Sequence, residues 1–121
     1  MLNYPAVDQV AIKQQLERGK RLVVGLCAAW CNNCEGWKKT LNTLAANHPT
    51  DCFVWLDIDE HPDMVAEVDL DVLPVLLIQQ PEQVCYLGPV TPEPGVTERL
   101  LQSSNALMHS HDPGIREFLL E

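Results

Sequence analysis

The side chains best suited to chemistry lie in one short run, Trp30-Cys31-Asn32-Asn33-Cys34. Two intervening residues let two thiols close a small ring inside one helical turn. From Cys31 onward the sequence takes a helical period, with Cys34, Trp37, Leu41 and Leu44 spaced three or four apart. Cys31 is therefore expected at a helix N-terminus, where unpaired N–H groups and the helix dipole favour a negative sulfur. The chemistry to expect is attack by a Cys31 thiolate, with Cys34 one turn deeper, more buried and protonated for longer. A lone C-x-x-C also occurs in zinc ribbons, but between a strand and a helix it reads as a redox pair.

Three other cysteines accompany the pair. Cys27, Cys31 and Cys34 together read C-x3-C-x2-C, a spacing also used by radical iron–sulfur enzymes that employ S-adenosylmethionine. Cys27 falls inside an apolar run and the chain is short for such a barrel, so Cys27 is read as a small core residue. Cys52, at a strand start, and Cys85, in a hairpin, are read as core or edge packing. A zinc site on Cys31 and Cys34 needs two more ligands, and no residue has the usual spacing, so no metal is expected. His109, His111 and Asp112 are read as solvated groups, and His48 and His61 have no obvious partner. Trp37, on the apolar face of its helix, is expected in the core.

The elements that must position the pair follow from periodicity. Residues 6–18 read as a helix with Val7, Val10, Leu16 and Ala11 on one face, stopped by Gly19. Leu22 to Ala28 and Cys52 to Asp57 are short apolar runs that fit buried strands. Asn47 to Asp51 reads as a loop, and Pro62 opens a short helix to Val68. Val75 to Ile78 and Gln83 to Leu87 flank Gln80-Pro81-Glu82 as a hairpin. Residues 97–109 read as an amphipathic helix carrying Leu100, Leu101, Leu107 and Met108. Asp112 is the expected N-cap, and Pro113 the first turn, of a last helix over 113–120. Leu2 to Tyr4 are a candidate edge strand. The alternation of β and α elements implies an α/β fold, a mixed central sheet flanked by helices on both faces.

Composition sets the outer bounds. The chain has 121 residues, 46% of them hydrophobic, which suits one packed domain. A formal charge of −9 offers no basic footprint for phosphates, so nucleic acid and anionic membranes are not expected partners. No segment is apolar for long enough to span a bilayer. The first eight residues lack the pattern of a secretory signal, and the odd cysteine count does not fit a secreted disulfide framework. A reducing, cytoplasmic location is the expectation.

Over roughly residues 20–110 the sequence resembles the thioredoxin family. The resemblance rests on Ala29-Trp30-Cys31-x-x-Cys34, on Leu56-Asp57-Ile58-Asp59, on Val72-Leu73-Pro74 before the apolar strand from Val75, and on Gly88 after the hairpin. It implies a thioredoxin-like fold over 1–110, with 111–121 as a C-terminal extension. It implies a cis Leu73–Pro74 bond beside the dithiol. By the same resemblance Cys31 and Cys34 are catalytic, and Trp30, Leu73, Pro74 and Gly88 border a protein substrate. The implied activity is thiol–disulfide exchange on protein substrates by a monomer, with a reductase or thiol as electron donor and no cofactor. The alternative is a thioredoxin-like interaction or assembly module whose dithiol is incidental or a sensor.

Several positions depart from the family's pattern. Asn32-Asn33 replaces Gly-Pro, and Glu35 stands where a lysine is common. The family's buried aspartate, six residues before the first cysteine, is Gly25 here, and its partner lysine is Trp55. The indole is expected to fill the space left at Gly25. With no general base beneath Cys34, resolution of a mixed disulfide is expected to be slow, a point that Gly25→Asp would probe.

Overall fold

The computed structural model describes residues 2–103 and 112–121. Five strands form one sheet: β1 (Leu2–Asn3), β2 (Arg21–Cys27), β3 (Asp51–Asp57), β4 (Val75–Gln80) and β5 (Gln83–Pro89), in the order β1-β3-β2-β4-β5. β1 and β2 run parallel to β3, whereas β4 is antiparallel to both β2 and β5. The parallel pairs need crossovers, supplied by α1 (Gln9–Glu17) and α2 (Cys34–Asn47). Pro81 and Glu82 alone turn β4 into β5, and a register shift at Ile78/Gln79 bends that hairpin. The mixed sheet with helices on both faces is the expected architecture, and the edge strand at Leu2 is present.

β2 is the central strand, and its side chains feed two cores. Leu22, Val24 and Leu26 point to one face and join Ile12 and Leu16 of α1, Cys52, Val54 and Leu56 of β3, and Ile115 of α4 (Ile115–Leu120). Val23 and Cys27 point to the other face and join Trp37, Leu41 and Leu44 of α2 and Leu101 of α3 (Pro94–Ser103). Period-two alternation thus divides one apolar run between two layers.

Four helical expectations change. In α1 the buried pair is Ile12 and Leu16, whereas Val7, Val10 and Ala11 are exposed. The i, i+4 pair suffices because a nine-residue helix presents only a narrow stripe to the sheet. α3 begins at Pro94, and Leu107, Met108, His109 and His111 lie outside the described residues. α4 starts at Ile115 after Gly114 at φ +83°, so Pro113 precedes the helix. Asp112 does not cap α4; its Oδ1 accepts the Gly114 N–H at 2.9 Å and its Oδ2 accepts the Gln79 amide at 3.1 Å. Ile115 is fully buried and Arg116 donates to the Leu16 carbonyl at 3.0 Å, so α4 packs on α1 within the same core. The helix expected from Pro62 to Val68 is a 3-10 turn over Pro62–Val65.

Candidate active site

The site forms where β2 ends and α2 begins. After Cys27 the chain turns through Ala28 to Asn33, the Cys31 N–H bonding to the Ala28 carbonyl at 3.1 Å and the Cys34 N–H to the Cys31 carbonyl at 3.2 Å. α2 starts at Cys34, so Cys31 sits on the turn leading into the helix and not inside its first turn. Cys31 is partly exposed, while Cys34 is buried, as the spacing predicted.

The pairing of sulfurs differs from expectation. Cys34 is bonded to Cys27, with their Cα atoms 5.9 Å apart, and Cys31 is a free thiol. All three sulfurs lie within 4.8 Å of one another. Cys27 is buried, as a core residue would be, but packing is not its whole role, because the last residue of β2 faces the first turn of α2. The sequence held a signal for this. Val23, Gly25 and Cys27 alternate onto the face that α2 covers, and C-x3-C-x2-C places all three thiols around one corner. Among the described residues this trio is also the group whose donors are close enough to hold a metal ion, though two of its sulfurs are bonded to each other.

The floor beneath the sulfurs is apolar. The buried polar residues among those described are Asn3, Gln79 and Thr97, and none is a carboxylate. Thr97 accepts the Trp37 indole N–H at 3.2 Å. Trp55 does not fill the space at Gly25. A Cβ at Gly25 would collide with Leu41 Cδ1 and come within 3.0 Å of the Trp37 ring, so α2 fills it instead. Trp55 is half-buried, its ring centroid 6.0 Å from that of Trp37 and 5.7 Å from Lys38 Nζ. Glycine at position 25 is thus what lets α2 lie close against β2, and Gly25→Asp would disturb packing as well as add a base.

The other expected site residues approach from the β4 side. The Leu73–Pro74 bond is cis. The register Leu26↔Val75 sets the buried Pro74 beside Cys27 at the end of β2, and the Val90 N–H bonds to the Pro74 carbonyl at 3.0 Å. Trp30 is 66% exposed beside Cys31. Leu73 packs instead against the core on the other face of the sheet. Gly88 lies a strand further out, paired with Leu76. It lines a cleft of about 350 Å³ with Glu67, Asp69, Asp71 and Val72. Val75 and Leu87 in that cleft belong to the core opposite the cysteines, so it is not the dithiol's own pocket. Glu35 is exposed in the first turn of α2. His48, expected to lack a partner, bonds Glu98 through Nε2 at 3.1 Å.

Comparison with known proteins agrees with this fold. The thioredoxin family model matches residues 5–93. Thioredoxin H5 of Oryza sativa subsp. japonica is 28% identical over 69 residues, 57% of this chain and 51% of the relative. The chain spans about half the length of that relative and of the mitochondrial thioredoxin-3 of Saccharomyces cerevisiae. A thioredoxin of Echinococcus granulosus is 29% identical over 100 residues, 81% of this chain and 91% of the relative. The crystal structure of a poplar thioredoxin h superposes with a TM-score of 0.68 at 19% identity, covering 84% of this chain and 94% of that one. With the family model matching most of its length and the fold shared, the chain belongs to the thioredoxin family.

Proposed function

We propose that this protein is a thiol–disulfide oxidoreductase acting on protein disulfides. The observation that supports it is a partly exposed free thiol, Cys31, within 4.8 Å of the buried sulfurs of Cys34 and Cys27. With Cys34 reduced, Cys31 attacks a substrate disulfide as a thiolate and forms a mixed disulfide, releasing one substrate thiolate. Cys34 then attacks the Cys31 sulfur, forms Cys31–Cys34 and releases the second. Trp30 and the backbone of the Leu73-Pro74 segment border the partner, with Gly88 a strand further out. An external reductase or thiol returns the electrons, and the reaction needs no cofactor. The expected setting is a reducing, cytoplasmic compartment, and the expected working form a monomer.

An interaction or assembly module is the weaker reading, because a buried sulfur bonded next to a partly exposed free thiol has no role in simple adhesion. Reduction of insulin disulfides by dithiothreitol tests the assignment. Wild type accelerates precipitation of the insulin B chain and Cys31→Ser does not. Equal rates for the two would overturn the enzymatic reading.

A further inference from the structure

The disulfide of this protein joins Cys34 to Cys27 and leaves Cys31 as a thiol. Cys27 is 1% and Cys34 4% exposed, so that bond is shielded from solvent while Cys31 is not. The Cα separation of 5.9 Å falls inside the range of about 4.4–6.8 Å that disulfides occupy. No backbone rearrangement is therefore needed to make or break it. All three sulfurs fall within 4.8 Å, so Cys34 has two partners within reach, one at the surface and one in the core.

We propose that Cys27 is a third redox residue, and that a disulfide made between Cys31 and Cys34 is passed inward to become Cys27–Cys34. The step rests on the thiol–disulfide reading above. The Cys27 thiol loses its proton, and its sulfur attacks Cys34. The Cys27–Cys34 bond forms as the Cys31–Cys34 bond breaks, and the departing Cys31 thiolate takes up a proton. One disulfide is consumed and one is made, so no outside oxidant or reductant enters. The chain carries no buried carboxylate at the floor of this site among its described residues. In its place Cys27, two residues after Gly25 on the same sheet face, supplies an ionisable group next to Cys34.

The consequence is an oxidised protein that keeps its nucleophile. In the surface form, Cys31 is consumed in the bond. In the inward form it is free to attack a further disulfide while Cys34 is locked and unable to resolve the product. Such an adduct lasts until a reductant opens Cys27–Cys34. The oxidised state therefore captures or reshuffles partner disulfides, whereas the reduced state reduces them.

Disulfide mapping tests this directly. Wild-type protein is oxidised with glutathione disulfide, quenched in acid, alkylated with N-ethylmaleimide in denaturant and cut with chymotrypsin, which cleaves after Trp30 and Trp37. The expected product is a crosslink between the Cys27 peptide and the peptide of residues 31–37, with the alkyl group on Cys31. An internal Cys31–Cys34 bond with the alkyl group on Cys27 would overturn the proposal. A second arm uses Cys31→Ser, checked for native circular dichroism. Oxidation is expected to give Cys27–Cys34, whereas glutathione held on Cys34 beside an unmodified Cys27 would count against it. Wild type that reduces insulin yet shows only Cys31–Cys34 defeats the inward transfer alone. A Cys27–Cys34 crosslink in protein without insulin activity defeats the functional reading and leaves the transfer standing.

Discussion

Cys27 and Cys52 are equally buried residues on neighbouring parallel strands, yet their surroundings differ in kind. Cys27 closes β2 and faces α2, where two further sulfurs wait. Cys52 lies near the start of β3 and faces the aliphatic core under α1 and α4. Burial pushes the Cys52 thiol up to about 11, with Lys20 and Arg116 only partly opposing it. Desolvation by itself makes a thiol inert, since the neutral form is the one an apolar core tolerates. What distinguishes Cys27 is therefore not exposure but its place at the end of the strand that leads into the α2 turn. Cys85 marks an intermediate case: it shares the face of Cys27 but lies on β5 and is a free thiol.

The contrast can be broken in several ways. The largest effect is expected from Cys31→Ser, which removes the only partly exposed member of the trio. Insulin reduction should fall at least about a hundredfold, since a hydroxyl is a far poorer nucleophile at neutral pH. Replacing Cys52 with alanine should instead leave the rate within about twofold, because no exchange partner faces it. A comparable loss in both variants would erase the distinction between the two faces.

Native alkylation gives the next largest contrast. At pH 7 a thiol with its pKa near 11 holds roughly one ten-thousandth of its population as thiolate. Cys52 should therefore remain unmodified by iodoacetamide over a time in which Cys31 reacts fully in reduced protein, read by peptide mass. Modification of Cys52 in step with Cys31 would show that the core around it opens readily.

Packing beneath the trio is sharpened by Gly25→Ala. The new methyl meets Leu41 Cδ1 and the Trp37 ring. Overpacking of this kind costs about 1–3 kcal/mol. Urea unfolding should show that loss, and unchanged stability would mean that α2 moves away from β2 freely.

The most gradual effect is on the pH dependence of stability. The folded state keeps the Cys52 proton above pH 9, where the unfolded chain has begun to release it. Folded protein then binds more protons than unfolded protein, so stability falls as pH rises from about 9 to about 11. The slope is roughly 1 kcal/mol per pH unit within that window. Tyr86, also raised by burial, acts in the same direction. Denaturant midpoints measured from pH 8 to 10.5 should drop in wild type and drop less in Cys52→Ala. Parallel curves would remove Cys52 from the effect.

Much of this site was legible in the residue order. The C-x-x-C after an apolar valine-rich run and before a period of three to four located the nucleophile. Leu73-Pro74 ahead of a second apolar strand located the segment that the register sets beside Cys27. Two readings went astray for one shared reason. In α1, Val7 and Val10 are apolar but exposed, while Ile12 and Leu16 are buried. At Gly25, the neighbour that fills the space is Leu41 of α2 and not Trp55 of β3. Both depend on how a helix is rotated and seated against the sheet, and apolarity along the chain does not encode that by itself.

Sequence alone determined the strand–turn–helix order, the fold family and the placement of Cys31 and Cys34 around one turn, because period and spacing are local properties of a chain. Only the tertiary structure decided which sulfur Cys34 joins. Cys27 is four residues from Cys31, and as part of an apolar strand it reads as packing. The docking of α2 across the end of β2 brings its sulfur to Cys34, through a contact set by the close approach at Gly25. Bond partners are chosen by distance in space, and that distance is a product of packing rather than of position along the chain.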